Sequence, residues 1–404
     1  MNLFNELNLL PSLIATLSEK KIFRPTEIQM NLIPQILSGK SVVGVAETGS
    51  GKTLAYALPL LHTLKKLEES GDGVTESSSP RAVVMVPTRE LGEQVSKVFK
   101  SFTHTTRLRV RPALGGMALE QAKRNTSGAF EILLATPGRL VQMLELELIN
   151  LSDVRALIFD EADQMMDQGF LPDTNFVVSA CPGNLQLGLF SATVSKTVQE
   201  LMATVFANAQ IYRSKGSGKT VSTLVTKNLT VEDGKRWPLL EKLLKQQTPG
   251  GTIVFANTRE QCDKVAKELT DKGYDCVIYR GEMDKNERKM NLKKFRDGKV
   301  SLLISTDLGG RGLDLDTVDR VINYHLPKEK ENYLHRAGRT ARAGRKGLVV
   351  NLVTERDQRL MESLGFVSVP PKQKVKTAKK VTAPTKPPFT KRTMPKTKSF
   401  KKRS

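Results

Sequence analysis

Cysteine is scarce in this chain: Cys181, Cys262 and Cys276 stand far apart among 404 residues, and no pair forms a C-x-x-C. That spacing supports neither a zinc site nor a disulfide framework and makes a reducing cytoplasm the expected setting. The sequons at Asn125 and Asn228 are then accidental. Long apolar runs are missing too: "LAYALPLL" at 54–61 falls far short of the roughly 20 residues a membrane span needs. No membrane partner is expected. The opening stretch, "MNLFNELNLLPSLIATLSEKK", lacks a basic n-region. Its Leu3, Phe4, Leu7, Leu10, Ile14 and Leu17 recur at helical spacing, which predicts one amphipathic helix of the mature protein.

Acidic residues vanish from the end of the chain. Between Pro371 and Ser404 there are eleven Lys, two Arg and no Asp or Glu, so +13 of the formal net charge of +21 sits in the last 34 residues. Pro and Thr between the charges leave little to bury, so a disordered basic C-terminal tail is expected over 367–404. Such a tail serves solubility, or it tethers the chain to a polyanion such as nucleic acid.

Elsewhere short Val/Ile/Leu-rich runs alternate with helical patterns. "SVVGVA" at 41–46, "AVVMVP" at 82–87, "EILLAT" at 131–136, "ALIFD" at 156–160 and "LQLGLFS" at 185–191 form one series. "GTIVFANT" at 251–258, "YDCVIY" at 274–279, "VSLLIST" at 300–306, "VDRVINY" at 318–324 and "GLVVNLV" at 347–353 form another. Strands apolar on both faces belong to parallel sheets covered by helices. The fold class is therefore α/β, with two tandem parallel-sheet domains, 1–212 and 221–366, joined by a short linker at 213–220 ("RSKGSGKT"). A polar Gly/Ser-rich segment, 68–80, is expected to be a mobile, exposed loop.

Directly after the first strand comes "AETGSGKT" at 46–53. Small residues let backbone N–H groups close round phosphate oxygens at a helix N-terminus, while Lys52 reaches the β- and γ-phosphates and the Thr53 hydroxyl takes Mg²⁺. Ala46, Glu47, Thr48, Gly49, Ser50, Gly51, Lys52 and Thr53 are thus the candidate phosphate site. Ala46 replaces the usual first Gly, which a negative φ there would permit. A second "GSGKT", at 216–220, has no buried strand before it and is read as a decoy.

Residues 160–163 read "DEAD" after the apolar "RALIF". Carboxylates at the end of a buried strand need a cation, and a strand ending in acids after a P-loop fits a Walker B element. Asp160 would hold Mg²⁺ through water and Glu161 would orient or deprotonate the attacking water. Further on, Arg336, Arg339, Arg342 and Arg345 recur every three residues. They form either a solvated helix face or a source of cations for the γ-phosphate, with Arg339 and Arg342 reaching across from the second domain.

Together these motifs resemble the DEAD-box RNA helicases of helicase superfamily 2. The resemblance runs from about Phe4 to Val353 through "RPTEIQ" at 24–29, the P-loop, "PTREL" at 87–91, "GG" at 115–116, "TPGRL" at 136–140, "DEAD" and "SAT" at 191–193. It continues through "IVFANT" at 253–258, "STDLGGRGLD" at 305–314 and "HRAGRTAR" at 335–342.

The resemblance implies RecA-like domains, ATP and Mg²⁺ as cofactors, and RNA, single-stranded or in short duplexes, as a partner bound largely without sequence preference. By it, Gln29 reads the adenine edge with Phe4 in support. Gly312 and Asp314 touch the nucleotide from the second domain, and Arg339 and Arg342 are arginine fingers. Asp163, Ser191, Thr193 and His335 couple the nucleotide to strand separation. Arg89, Gly116, Thr136, Arg139, Thr258 and Thr306 hold the RNA backbone. Ribosomal or RNA-decay proteins are the candidate partners, and the core is expected to be monomeric. Four departures stand out: Lys21 and Ile22 where the family usually has Gly and an aromatic ring, a Gly309–Gly310 pair for the common Ala pair, and Ala341 for a common Gly.

The expected function is an ATP-dependent RNA helicase that bends and locally unwinds RNA as its domains close. Two rivals stay open: a DNA-directed translocase of the wider superfamily, and an ATP-gated RNA clamp in which strand separation is incidental.

Overall fold

The alternation of buried residues along each strand decides the layering. In β1 (Val42–Val45), Val42 packs into one apolar cluster while Val43 and Val45 pack into another. In β2 (Ala82–Met85), Ala82 and Val84 join the first cluster and Val83 and Met85 the second. Successive side chains leave opposite faces of a strand, so both faces of this sheet are covered. The computed structural model describes residues 3–47, 49–214, 224–281, 283–307, 317–341 and 345–366. Thr48, Gly312, Asp314, Arg342, Gly309, Gly310, nearly all of the linker and the tail lie outside them.

The first sheet also contains β3 (Val110–Ala113), β4 (Ile132–Ala135), β5 (Ala156–Asp160), β6 (Gln186–Ser191) and β7 (Gln210–Arg213). Its seven parallel strands run in the order β3-β4-β2-β5-β6-β1-β7. The second sheet has β8 (Leu224–Thr230), β9 (Gly251–Phe255), β10 (Val277–Tyr279), β11 (Leu302–Ser305), β12 (Val318–Asn323) and β13 (Gly347–Val353). Its six parallel strands run β10-β11-β9-β12-β13-β8, again with an apolar cluster on each face. Among the described residues no helix is long and apolar enough to cross a membrane. The two tandem α/β units are as expected.

Three local expectations differ. The N-terminal amphipathic segment is two pieces, a 3-10 turn at Leu3–Leu7 and a helix at Pro11–Glu19. Pro11 lacks an N–H and disfavours helical backbone at Leu10, whose ψ is 138°. The first sheet reaches Arg213, one residue into the expected linker, because Arg213 pairs with Val45.

The 68–80 segment begins as the end of a helix and then packs down. Asp72 pairs with Arg81 and Arg155, each at 2.8 Å, the Ser78 hydroxyl donates to the Thr126 carbonyl at 2.9 Å, and Ser79 and Pro80 are buried. Composition marked a mobile, exposed loop; residues 68–71 and 75–77 are exposed, while these distant partners tie down Asp72 and the Ser78–Pro80 end.

Candidate nucleotide site and nucleic-acid cleft

β1 leads through residues 46–51 into the helix Lys52–Glu69. Gly49 and Gly51 carry φ of 86° and 88°, a region that L side chains avoid. A Cβ on Gly51 would lie 2.4 Å from Gln29 Nε2, so only glycine fits. Ala46 does not adopt a positive φ, and its buried methyl is accommodated. Lys52 is buried, its Nζ donating to the carbonyls of Ala46 at 2.6 Å and Glu47 at 2.9 Å. An ammonium has three protons, so one remains for a phosphate oxygen. Burial pulls the Lys52 pKa down, against the opposing charges of Asp160, Glu161, Asp163 and Glu47. The Ser50 hydroxyl is buried without a partner, a donor aimed at nothing in the protein.

Asp160 ends β5, with its Oδ1 accepting the Glu161 N–H at 3.0 Å and its Oδ2 the Tyr56 hydroxyl at 2.7 Å. Burial, then the charge of Glu161, pushes its carboxyl up to about 6 against the Tyr56 hydrogen bond and Lys52. Glu161 itself sits at φ 51°, in the left-handed region at the N-cap of the helix Ala162–Asp167. Strain of that kind collects at functional sites. The Thr53 hydroxyl and the Asp160 carboxylate are hard oxygen donors of the type Mg²⁺ prefers, and with the orphaned Ser50 hydroxyl they fit a Mg²⁺–triphosphate.

Gln29 is almost wholly buried. Its Oε1 accepts the Thr26 N–H at 3.0 Å and its Nε2 donates to the Gly51 carbonyl at 3.0 Å, bracing the "RPTEIQ" turn against the phosphate loop. One N–H and one lone pair are left for a base edge. Ile22 packs partly buried against the core, and Phe23 beside it is 45% exposed.

Asp163 brings Ser191, Thr193 and His335 together. Its Oδ2 accepts from the Thr193 hydroxyl at 2.8 Å, the Thr193 N–H at 2.9 Å and the Ala192 N–H at 3.2 Å, while its own N–H donates to Ser191 Oγ. His335 Nε2 reaches the same Oδ2 from the second α/β unit at 3.2 Å. Burial alone would raise the Asp163 pKa; the charge and hydrogen bond of His335, with Thr193 and Lys52, outweigh it and hold the carboxyl well below the usual range.

Arg339, four residues beyond, is buried, and its Nε donates to the His335 carbonyl at 3.1 Å. Arg336 is buried as well, in contact with Asp307, Asn257, Asn323 and the His325 carbonyl. Among the described arginines of the series, Arg345, half-exposed and paired with Asp319 at 2.7 Å, resembles the solvated face that the three-residue spacing allowed.

Away from the nucleotide end, a cleft of about 1090 Å³ opens between the units. Arg89, Gly116, Thr136 and Arg139, four of the residues the resemblance assigned to RNA, line one wall, and Arg288, Lys289, Lys293 and Arg296 line the other. Arg89 is half-exposed and bonded to Glu93 at 2.8 Å and the Gly116 carbonyl at 3.3 Å. Thr136 Oγ1 accepts the Gly115 N–H at 2.8 Å, and Arg139 contacts the Met117 carbonyl. Thr258 caps the helix Arg259–Asp271 on the surface and Thr306 is buried; neither lines this cleft. Glu90 and Arg288 form an ion pair across the cleft at 3.0 Å.

The second wall went unread in the sequence, although the basic helix Lys285–Arg296 was its visible signal. Tyr56 was unread as well, since only folding brings it to Asp160.

Two parallel α/β sheets, a phosphate loop and an acid-ended strand define a P-loop protein of the two-domain helicase class. Residues 26–201 match the DEAD/DEAH box helicase family and residues 235–344 the helicase conserved C-terminal domain. The chain is 33% identical over 362 residues to the ATP-dependent RNA helicase DeaD of Buchnera aphidicola, covering 89% of this chain and 58% of that protein. It is 32% identical to CshA of Bacillus subtilis, covering 89% and 71%, and 34% identical to RhpA of Helicobacter pylori, covering 87% and 69%. S. cerevisiae Dbp5 bound to RNA and ADP BeF3 superposes with a TM-score of 0.80 at 26% identity, over 91% of this chain and 95% of that one. The chain belongs to the DEAD-box ATP-dependent RNA helicases, and it spans 58% to 71% of these three relatives' lengths.

Proposed function

We propose that the chain couples ATP hydrolysis to closure of its two α/β units on RNA, and that closure bends the strand so that short duplexes or RNA–protein complexes come apart. The observation that carries this is the hydrogen bond from His335 to Asp163. It joins the second unit to a carboxylate that the first unit already binds through Ala192 and Thr193.

In this reading Lys52 and the loop N–H groups hold the β- and γ-phosphates, and Thr53 and Asp160 hold Mg²⁺. Mg²⁺ bound there would neutralise charge on the phosphate oxygens. Glu161 orients the attacking water, and Arg339 with Arg342 stabilises charge at the γ-phosphate, a contribution of roughly 10³ to 10⁵ in rate at related sites. Gln29 faces the base and Ile22 packs on it; Gly312 and Asp314 complete the nucleotide contacts.

The basic cleft takes the sugar–phosphate backbone through Arg89, Gly116, Thr136 and Arg139, and Thr258 and Thr306 of the second unit hold it outside that cleft. Such contacts position a strand without reading its sequence. Dbp5 bound to RNA and ADP BeF3 is a neighbour in shape, which supports a closed arrangement. A cytoplasmic, monomeric enzyme goes with this reading.

Glu161→Gln tests it. The variant should bind ATP and RNA, turn over slowly and release RNA far more slowly than the parent. RNA release at the parent's rate would count against closure.

A further inference from the structure

Tyr56 lies one turn into the helix that follows the phosphate loop, four residues after Lys52 and three after Thr53. Its side chain is fully buried, with ring centroids 5.0 Å from Phe190 and 6.3 Å from Phe99. A buried phenol needs a partner for its hydroxyl. Here the hydroxyl donates to Asp160 Oδ2 at 2.7 Å, and Thr53 stands three residues earlier in the same helix. The phenol therefore touches one of the residues assigned to the metal and follows the other by one helical turn.

We propose that Tyr56 is a positioning residue for Mg²⁺, its phenol orienting the Asp160 carboxylate toward the cation. This rests on the reading of Thr53 and Asp160 as the metal-holding pair. The phenol proton fixes Asp160 Oδ2, while the Glu161 N–H fixes Oδ1. The carboxylate thus has both oxygens pinned, by the phosphate-loop helix and by its own strand end. Partners of this kind around metal ligands are typically worth 10- to 100-fold in metal affinity or activity. The ring reaches further, because Phe190 immediately precedes Ser191 of the coupling set. Phosphate loop, acidic strand end and coupling strand thus meet at one aromatic side chain.

Tyr56→Phe in the full chain tests the idea, since it keeps the ring and removes only the hydroxyl. The readout is equilibrium binding of a fluorescent ATP analogue, titrated with Mg²⁺ and repeated in EDTA, with thermal melting alongside. The expected result is a Mg²⁺ half-saturation raised about tenfold, with affinity in EDTA within about twofold of the parent. Phe99→Leu disturbs the same packing without touching the hydroxyl; it should lower Tm and leave the Mg²⁺ titration in place. The proposal is overturned if Tyr56→Phe leaves the half-saturation within about twofold, or if Phe99→Leu moves it equally. If Tyr56→Phe melts too low to assay, Tyr56→His, which can still offer a hydrogen bond, should titrate closer to the parent than Tyr56→Leu, and equal behaviour of those two overturns it. A parent chain whose nucleotide binding ignores Mg²⁺ defeats instead the assignment of Thr53 and Asp160.

Discussion

His335 Nε2 stands 3.2 Å from Asp163 Oδ2, and the two residues belong to different sheets. Asp163 is held ionised, so it can only accept, and Nε2 must carry the proton. His335→Ala removes this link while leaving the phosphate loop intact. Hydrogen bonds to charged groups contribute about 1.5–3 kcal/mol. RNA-stimulated hydrolysis should therefore fall roughly ten- to a hundredfold, with ATP affinity nearly unchanged. Parallel kinetics and nucleotide titration check the split.

The second cross-unit contact, Glu90 with Arg288, is partly exposed, about a quarter accessible on each side. Pairs of this kind contribute about 0.2–1 kcal/mol. In a double-mutant cycle of Glu90→Gln and Arg288→Gln, nucleotide-dependent RNA affinity should show a coupling of that size. Strict additivity would remove the pair from the closure account.

Asp160 makes the metal-free chain less stable at neutral pH. An unfolded aspartate titrates near about 4, whereas folding raises this one to about 6. Between those values the folded state holds a proton that the unfolded state has lost, so this contribution to stability falls as pH rises and is gone above about 6. In EDTA, Asp160→Asn should therefore gain in Tm relative to the parent between pH 5 and pH 8. Melting curves at both pH values decide it, and a gap that narrows toward pH 8 would be the wrong sign.

Lys21 and Ala341, both standing where the resemblance expects glycine, adopt φ of 59°. Left-handed backbone costs an L-residue about 1–2 kcal/mol, part of which glycine returns as unfolded-state entropy. Lys21→Gly and Ala341→Gly should each stabilise the chain by about 0.5 kcal/mol, additively, because they lie in separate units. Denaturant unfolding of the singles and the double measures this.

The same two residues show what the sequence could tell. A departure from a motif was visible, but its cost depends on a dihedral angle that only the folded chain defines. Strands apolar on both faces were legible, as were the phosphate loop and the acid-ended strand, because each is a local pattern. β3 carries Arg111 and Pro112, and the edge strands β7 and β8 are half-solvated, so they offered no apolar run. The Asp72 pairs and the Tyr56–Asp160 hydrogen bond join residues that are ordinary in their own neighbourhoods. Thr258 and Thr306 were carried over from a motif, and a motif says nothing of which wall a side chain lines.

In the proposed cycle RNA closes the nucleotide site. Steady-state ATP hydrolysis without polymer, with single-stranded RNA and with DNA of the same sequence, at two salt concentrations, tests it most directly. RNA should stimulate hydrolysis strongly, more so at low salt, and DNA should not. Equal stimulation by DNA, or none by either polymer, would contradict the account.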